Sequence, residues 1–127
     1  YGTEWSTTES LERFAGESLE GAVFITSFDE GNKSKTFLNY EKMYRDRFNE
    51  KSSFSSRFGY ESVQLLKAAL QINADTTQIN KTLKNIQKIK SLQGDIHLDQ
   101  YGDIHRAVYI EKYIDGRFRI VHRIPAP

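Results

Sequence analysis

Few side chains in this sequence are spaced for chemistry. The three histidines, His97, His105 and His122, all fall in the last third of the chain. A metal site needs ligands that converge, such as histidines four apart on one helix face. No such spacing occurs, so surface or hairpin histidines are expected and no metal. Ser52, Ser53, Ser55 and Ser56 cluster ahead of an apolar repeat, without the Gly-x-Ser-x-Gly turn that presents a nucleophile. Capping and solubility account for such a cluster; the alternative is a polar helix start that lines a ligand site. Lys81, Lys84, Lys88 and Lys90 make one segment basic, but no aromatics interleave to stack bases. No pair of glycines forms a phosphate loop ahead of a helix. The absence of cysteine removes thiolate metal sites, disulfides and a cysteine nucleophile. The chain is therefore read as a non-enzyme that carries no cofactor.

Glu4 and Trp5 form a sharper pair. They follow Gly2-Thr3 and precede Ser6-Thr7-Thr8-Glu9, which has the form of a capping box. That puts an acid and an indole on a loop at a helix entrance, the edge where open α/β sheets bind ligands. The carboxylate could hold an ammonium group and the indole could cover an apolar portion. The alternative is a surface acid beside a partly buried tryptophan.

The elements that must position these residues follow from periodicity. A short helix after the capping box would turn Leu11, Phe14 and Ala15 inward and end near Gly16. The run Gly21 to Thr26 is short, apolar and glycine-bounded, which predicts a strand buried on both faces of a parallel sheet. Asp29 to Asn32 reads as a turn. Phe37, Tyr40, Tyr44 and Phe48 recur at helical spacing, and a polar link from Asn49 to Ser53 leads to a second helix. Its stripe is Phe58, Ser62, Leu65, Ala69 and Ile72, widened by Val63, Leu66 and Leu70, as for a helix packed deep against a sheet. Asp75 can cap a third helix bearing Ile79, Leu83 and Ile86, before a break at Ser91 to Gly94. The end of the chain changes to period two. A brief strand over Asp95 to Leu98 precedes a turn over Asp99 to Asp103. A strand from Arg106 to Ile114 then meets Asp115-Gly116, a hairpin signal, and returns over Phe118 to Val121. The order is α/β, with few strands for its helices.

Composition sets the outer bounds. The 127 residues suffice for one core, with 38% hydrophobic and 28% charged residues, so the chain is neither disordered nor membranous. Eighteen basic against seventeen acidic residues leave a net charge of +1, which offers no electrostatic reason to expect nucleic acid. The start at Tyr1, without Met or a leader pattern, suggests a mature, trimmed or excised piece.

An ordered set of residues then resembles a family. Gly2-Thr3-Glu4-Trp5, Ala15-Gly16 and Leu19-Glu20-Gly21-Ala22-Val23-Phe24 open it. Phe37, Tyr44, Arg47-Phe48, Gly59-Tyr60-Glu61-Ser62, Leu65-Leu66 and Ala69-Leu70 continue it. Gly94, Leu98-Asp99, Gly102-Asp103 and Gly116-Arg117-Phe118 complete it. Together they resemble the late segment of the leucine/isoleucine/valine-binding type I periplasmic proteins. The resemblance implies a partial fold of that type, with pieces of two three-layer α/β/α lobes joined by hinge strands and the solute trapped between them. It implies that residues 1–27 belong to the second lobe, residues 28–106 to the first, and residues 107–127 to a return hairpin of the second. It implies roughly the last third of such a protein, in the periplasm or outside the cell and open to lipid anchoring. There it would deliver a small solute, an amino acid or branched-chain amino acid, to a membrane ABC permease. Glu4 falls where the family places the acid that pairs with the ligand ammonium, and Trp5 stands where a small residue is usual. Phe54-Ser55 falls near an aromatic that touches the ligand side chain, a pattern from which Ser55 departs. A sensor or regulatory lobe, such as a receptor ectodomain or cell-wall-enzyme activator, is the alternative. With its sheets incomplete, the chain alone is expected to self-associate.

Overall fold

The computed structural model describes residues 1–7, 9–86 and 88–126. The capping box read over Ser6 to Glu9 depends on Thr8 and on the Glu9 side chain, which lie outside the described residues. The chain divides into two compact units.

The first unit comprises residues 1–31 and 107–126. Its four-stranded sheet has the order β1 (Gly2–Thr3), β2 (Val23–Thr26), β6 (Val108–Ile114), β7 (Arg117–Ile124). β1 runs parallel to β2, with Gly2 opposite Phe24 and Thr3 opposite Ile25. β6 is antiparallel to both β2 and β7. β2 is therefore not the doubly buried strand of a parallel sheet. Phe24 and Thr26 are buried, whereas Ile25 between them is half exposed, so the strand alternates as one-sided strands do.

Helix α1 (Glu9–Ala15) and a 3₁₀ turn (Gly16–Leu19) cover this sheet. Leu11 and Ala15, four apart, pack on Leu19, Phe24 and Tyr113. Phe118 meets Phe24 and Tyr113 edge-on, at centroid distances of 5.5 and 4.9 Å. Phe14, expected inward, is 82% exposed instead. At 3.6 residues per turn it points about 100° away from Ala15, and so short a helix buries only one narrow stripe. Gly2 is required where it stands, because a Cβ there would come within 2.7 Å of the Phe24 ring. Asp115 and Gly116 both take positive φ, 52° and 73°, in the tight turn between β6 and β7.

The second unit spans residues 32–106. Ser34 caps α2 (Lys35–Phe48) by accepting from the Phe37 amide, and Asn49 ends it in the left-handed region at φ 56°. Phe37 and Tyr40 are buried, and the ladder Tyr40–Tyr44–Phe48 runs outward to an exposed Phe48. Ser53 caps α3 (Phe54–Ile72) in a reciprocal box with Ser56. A 3₁₀ turn (Thr76–Gln78), capped by Asp75, then leads into α4 (Ile79–Asn85).

A three-stranded antiparallel sheet follows: β3 (Ile89–Ser91), β4 (Gly94–Leu98) and β5 (Ile104–His105). The break read at Ser91 to Gly94 is thus the turn of a β3–β4 hairpin, and Ile89, Leu92 and Ile96 are core residues.

The inner face of α3 departs from its apolar pattern. Arg57, Glu61 and Ala69 are buried, while Ser62, Val63, Leu66, Leu70 and Ile72 are exposed. Two charged side chains face inward because partners wait for them. Arg57 Nη2 lies 3.1 Å from Glu41 on α2, and Arg106 Nη1 donates to Glu61 at 2.7 Å. No helix among the described residues is long and apolar enough to cross a membrane.

Candidate functional site

Glu4 leaves β1 just past its two-residue pairing with β2, and its amide donates to the Ile25 carbonyl at 2.9 Å. Ser6 N donates back to the Thr3 carbonyl at 2.9 Å, which turns the chain over this edge. The carboxylate thereby lies beyond the C-terminal ends of two neighbouring parallel strands. There it meets the residues that end β2. The Ser27 amide donates to one oxygen at 2.8 Å and the Ser27 hydroxyl to the other at 3.0 Å. The Thr26 hydroxyl is 3.5 Å away.

Glu4 remains partly exposed, and a carboxylate offers about four lone-pair positions. It can therefore accept further N–H donors from a cation while these contacts persist. Trp5 sits on the same turn, 72% exposed, as a large apolar surface beside the acid.

Phe54 and Ser55 occupy the first turn of α3 in the second unit. Phe54 is half-buried, with its ring 6.5 Å from that of Phe58. Ser55 is exposed, its hydroxyl 2.9 Å from that of Ser53. The rest of the serine cluster has structural work. Ser53 and Ser56 cap the helix. Ser52 is buried, donates to Glu41, and receives Arg57 Nε at 2.8 Å and Arg57 Nη2 on its carbonyl at 2.9 Å. The candidate residues thus stand as two pairs, Glu4 with Trp5 and Phe54 with Ser55, each on one turn of its own unit.

The histidines form no constellation. His97 and His105 face each other across β4 and β5, and His105 Nε2 is 3.3 Å from Asp99. Asp99 also accepts the amides of Tyr101, Gly102 and Asp103. Its carboxyl is held below the ordinary carboxylate range, chiefly by the Asp103 amide; desolvation opposes this, and His105 and the Tyr101 and Gly102 amides add to the lowering. His122 is exposed on β7. Among the described residues no group of three or more potential ligands could hold a metal ion.

Thr26 and Ser27 escaped the sequence reading. The available signal was a pair of hydroxyl residues ending an apolar strand, but only the β1–β2 register links them to Glu4.

No protein-family model matches the sequence, and no curated protein matches it. Solved structures do. A leucine-binding protein of Thermotoga maritima aligns with 97% of this chain at 17% identity and a TM-score of 0.81. A branched-chain amino-acid transporter substrate-binding protein of Streptococcus pneumoniae, solved with isoleucine, aligns with 99% at 19% identity and a TM-score of 0.79. An ABC-transporter solute-binding protein of R. palustris, solved with benzoate, aligns with 94% at 16% identity and a TM-score of 0.76. The chain spans 36%, 36% and 34% of these structures, respectively. What is shared at such identities is the fold: the chain has the architecture of about a third of a type I periplasmic solute-binding protein.

Proposed function

We propose that this chain is part of a solute-binding protein that works outside the cytoplasm and captures an amino acid for an ABC permease, with no catalytic role. The observation that carries the reading is the Glu4 carboxylate, oriented by Ser27 past the ends of two parallel strands, in a chain with this fold. The solved neighbours include leucine, isoleucine and benzoate binders. The charge of Glu4 favours the first two chemistries. An α-ammonium group would be attracted to it, whereas the carboxylate of a benzoate-like solute would be repelled.

In this reading Glu4 accepts from the ligand ammonium, and Trp5 covers the ligand's apolar side. On the resemblance alone, Phe54 and Ser55 are proposed as further ligand contacts. Residues 1–27 and 107–127 then belong to one lobe of the whole protein and residues 28–106 to the other.

The test is calorimetric titration of L-leucine, L-isoleucine and other common L-amino acids into the whole protein that carries this chain, with and without Glu4→Gln. Truncating one member of a buried, hydrogen-bonded charge pair costs about 2–5 kcal/mol. At about 1.4 kcal/mol per factor of ten, affinity should fall roughly 30-fold to several thousand-fold. An amino-acid affinity unchanged within about threefold, a difference of only about 0.7 kcal/mol, would remove Glu4 from the site.

A further inference from the structure

We propose that Ser27 is the positioning residue of this site: its amide and its hydroxyl, one on each oxygen, fix the Glu4 carboxylate in one orientation for a ligand ammonium group. The inference rests on the reading of Glu4 as the ammonium partner.

A glutamate has three rotatable side-chain bonds, and ordering them only when ligand arrives would oppose binding. Here that ordering is already done. The Ser27 amide donates at 2.8 Å and its hydroxyl at 3.0 Å, to different oxygens, which fixes the carboxylate's plane as well as its place. The amide is itself held, because the preceding residue, Thr26, is paired with Tyr109 across β2 and β6.

Thr26 is the other candidate for this work, and its own geometry argues against it. A threonine hydroxyl has one proton. The Thr26 hydroxyl lies 3.2 Å from the Phe28 carbonyl and 3.5 Å from Glu4, so its proton belongs to Phe28. It also accepts the Phe28 amide at 3.3 Å, which closes a local turn. That leaves Ser27 as the donor to both oxygens. The arrangement uses only part of the carboxylate's capacity and keeps lone pairs for an ammonium group.

The experiment is a double-mutant cycle on the whole protein that carries this chain. Common L-amino acids are screened by thermal shift, and the one giving the largest shift is titrated calorimetrically. Ser27→Ala should weaken its binding by about tenfold, the order expected when one charge-assisted hydrogen bond is lost. Ser27→Thr, which restores the hydroxyl, should stay within about threefold of the unsubstituted protein. In a Glu4→Gln background, Ser27→Ala should cost less than about threefold, because there is no longer a carboxylate to orient. A purely structural serine would lower affinity equally in both backgrounds, and that result overturns the proposal.

Ser27→Ala binding within about twofold of the unsubstituted protein, while Glu4→Gln loses at least 30-fold, would also overturn it and leave the role of Glu4 standing. Glu4→Gln within about threefold, or no amino acid bound at all, would remove the underlying reading and this inference with it. If Ser27→Ala does not fold, Ser27→Cys, a near-isostere with a weak donor, takes its place with the same expectations.

Discussion

Glu61 serves two partners at once. One oxygen accepts the Leu92 amide at 3.0 Å and the other accepts Arg106 Nη1 at 2.7 Å, with the acid and guanidinium side chains only 5% and 10% exposed. Glu61→Ala would leave a buried amide and a buried cation to find new partners, and should destabilise the protein by about 3–5 kcal/mol in urea unfolding. Asp99 gives a pH-dependent counterpart. Because its carboxyl is depressed in the folded chain, the folded form keeps its charge where the unfolded form has taken up a proton. Its contribution is complete above the ordinary carboxylate range and is lost as pH falls through the folded value. Asp99→Ala should therefore lower the unfolding temperature at neutral pH, by a gap that narrows below about pH 4. A gap that widens on acidification would contradict this assignment.

At the scale of elements, caps and turns decide where helices and strands stop. The Asp115-Gly116 signal became the observed β6–β7 hairpin because both residues accept positive φ, and alternatives to glycine at the second position do so poorly. Gly116→Ala should cost about 1 kcal/mol in unfolding free energy with the sheet retained. Gly2→Ala should cost more, about 1–3 kcal/mol, since its new methyl meets an aromatic ring rather than open space. An equal effect at the two positions in chemical denaturation would show that the Phe24 ring yields freely. The α2 and α3 boundaries were legible for the same reason: Ser34, Asn49 and Ser53 carry local hydrogen-bonding or backbone preferences that need no tertiary partner. The β3–β4 hairpin was not. Three-residue Ile89–Ser91 is too short to display a period, and its pairing with β4 identifies it.

For the whole chain the exposed face of α3 matters most. Val63, Leu66 and Leu70 recur at helical spacing and all remain exposed, with Ile72 beyond them. Such a stripe on a monomer in water favours association. The isolated 127 residues are expected to sediment as oligomers at high concentration, and Leu66→Lys with Leu70→Glu should shift them toward monomer. A well-folded monomer of the unsubstituted chain at all concentrations would show that this face needs no cover.

The spans of α2 and α3, the final hairpin, the absence of cysteine and the proposal of Glu4 as a ligand-binding acid all come from the sequence. Each rests on local preference, on composition or on the resemblance of an ordered residue set. The tertiary structure alone decided which face of α3 is inward, because an apolar period cannot foresee that Arg57 and Glu61 have partners 16 and 45 residues away. It also decided how Glu4 is held. A carboxylate at position 4 meets an amide and a hydroxyl at position 27 only when β1 lies parallel to β2 in one register, and that pairing is a property of the folded sheet.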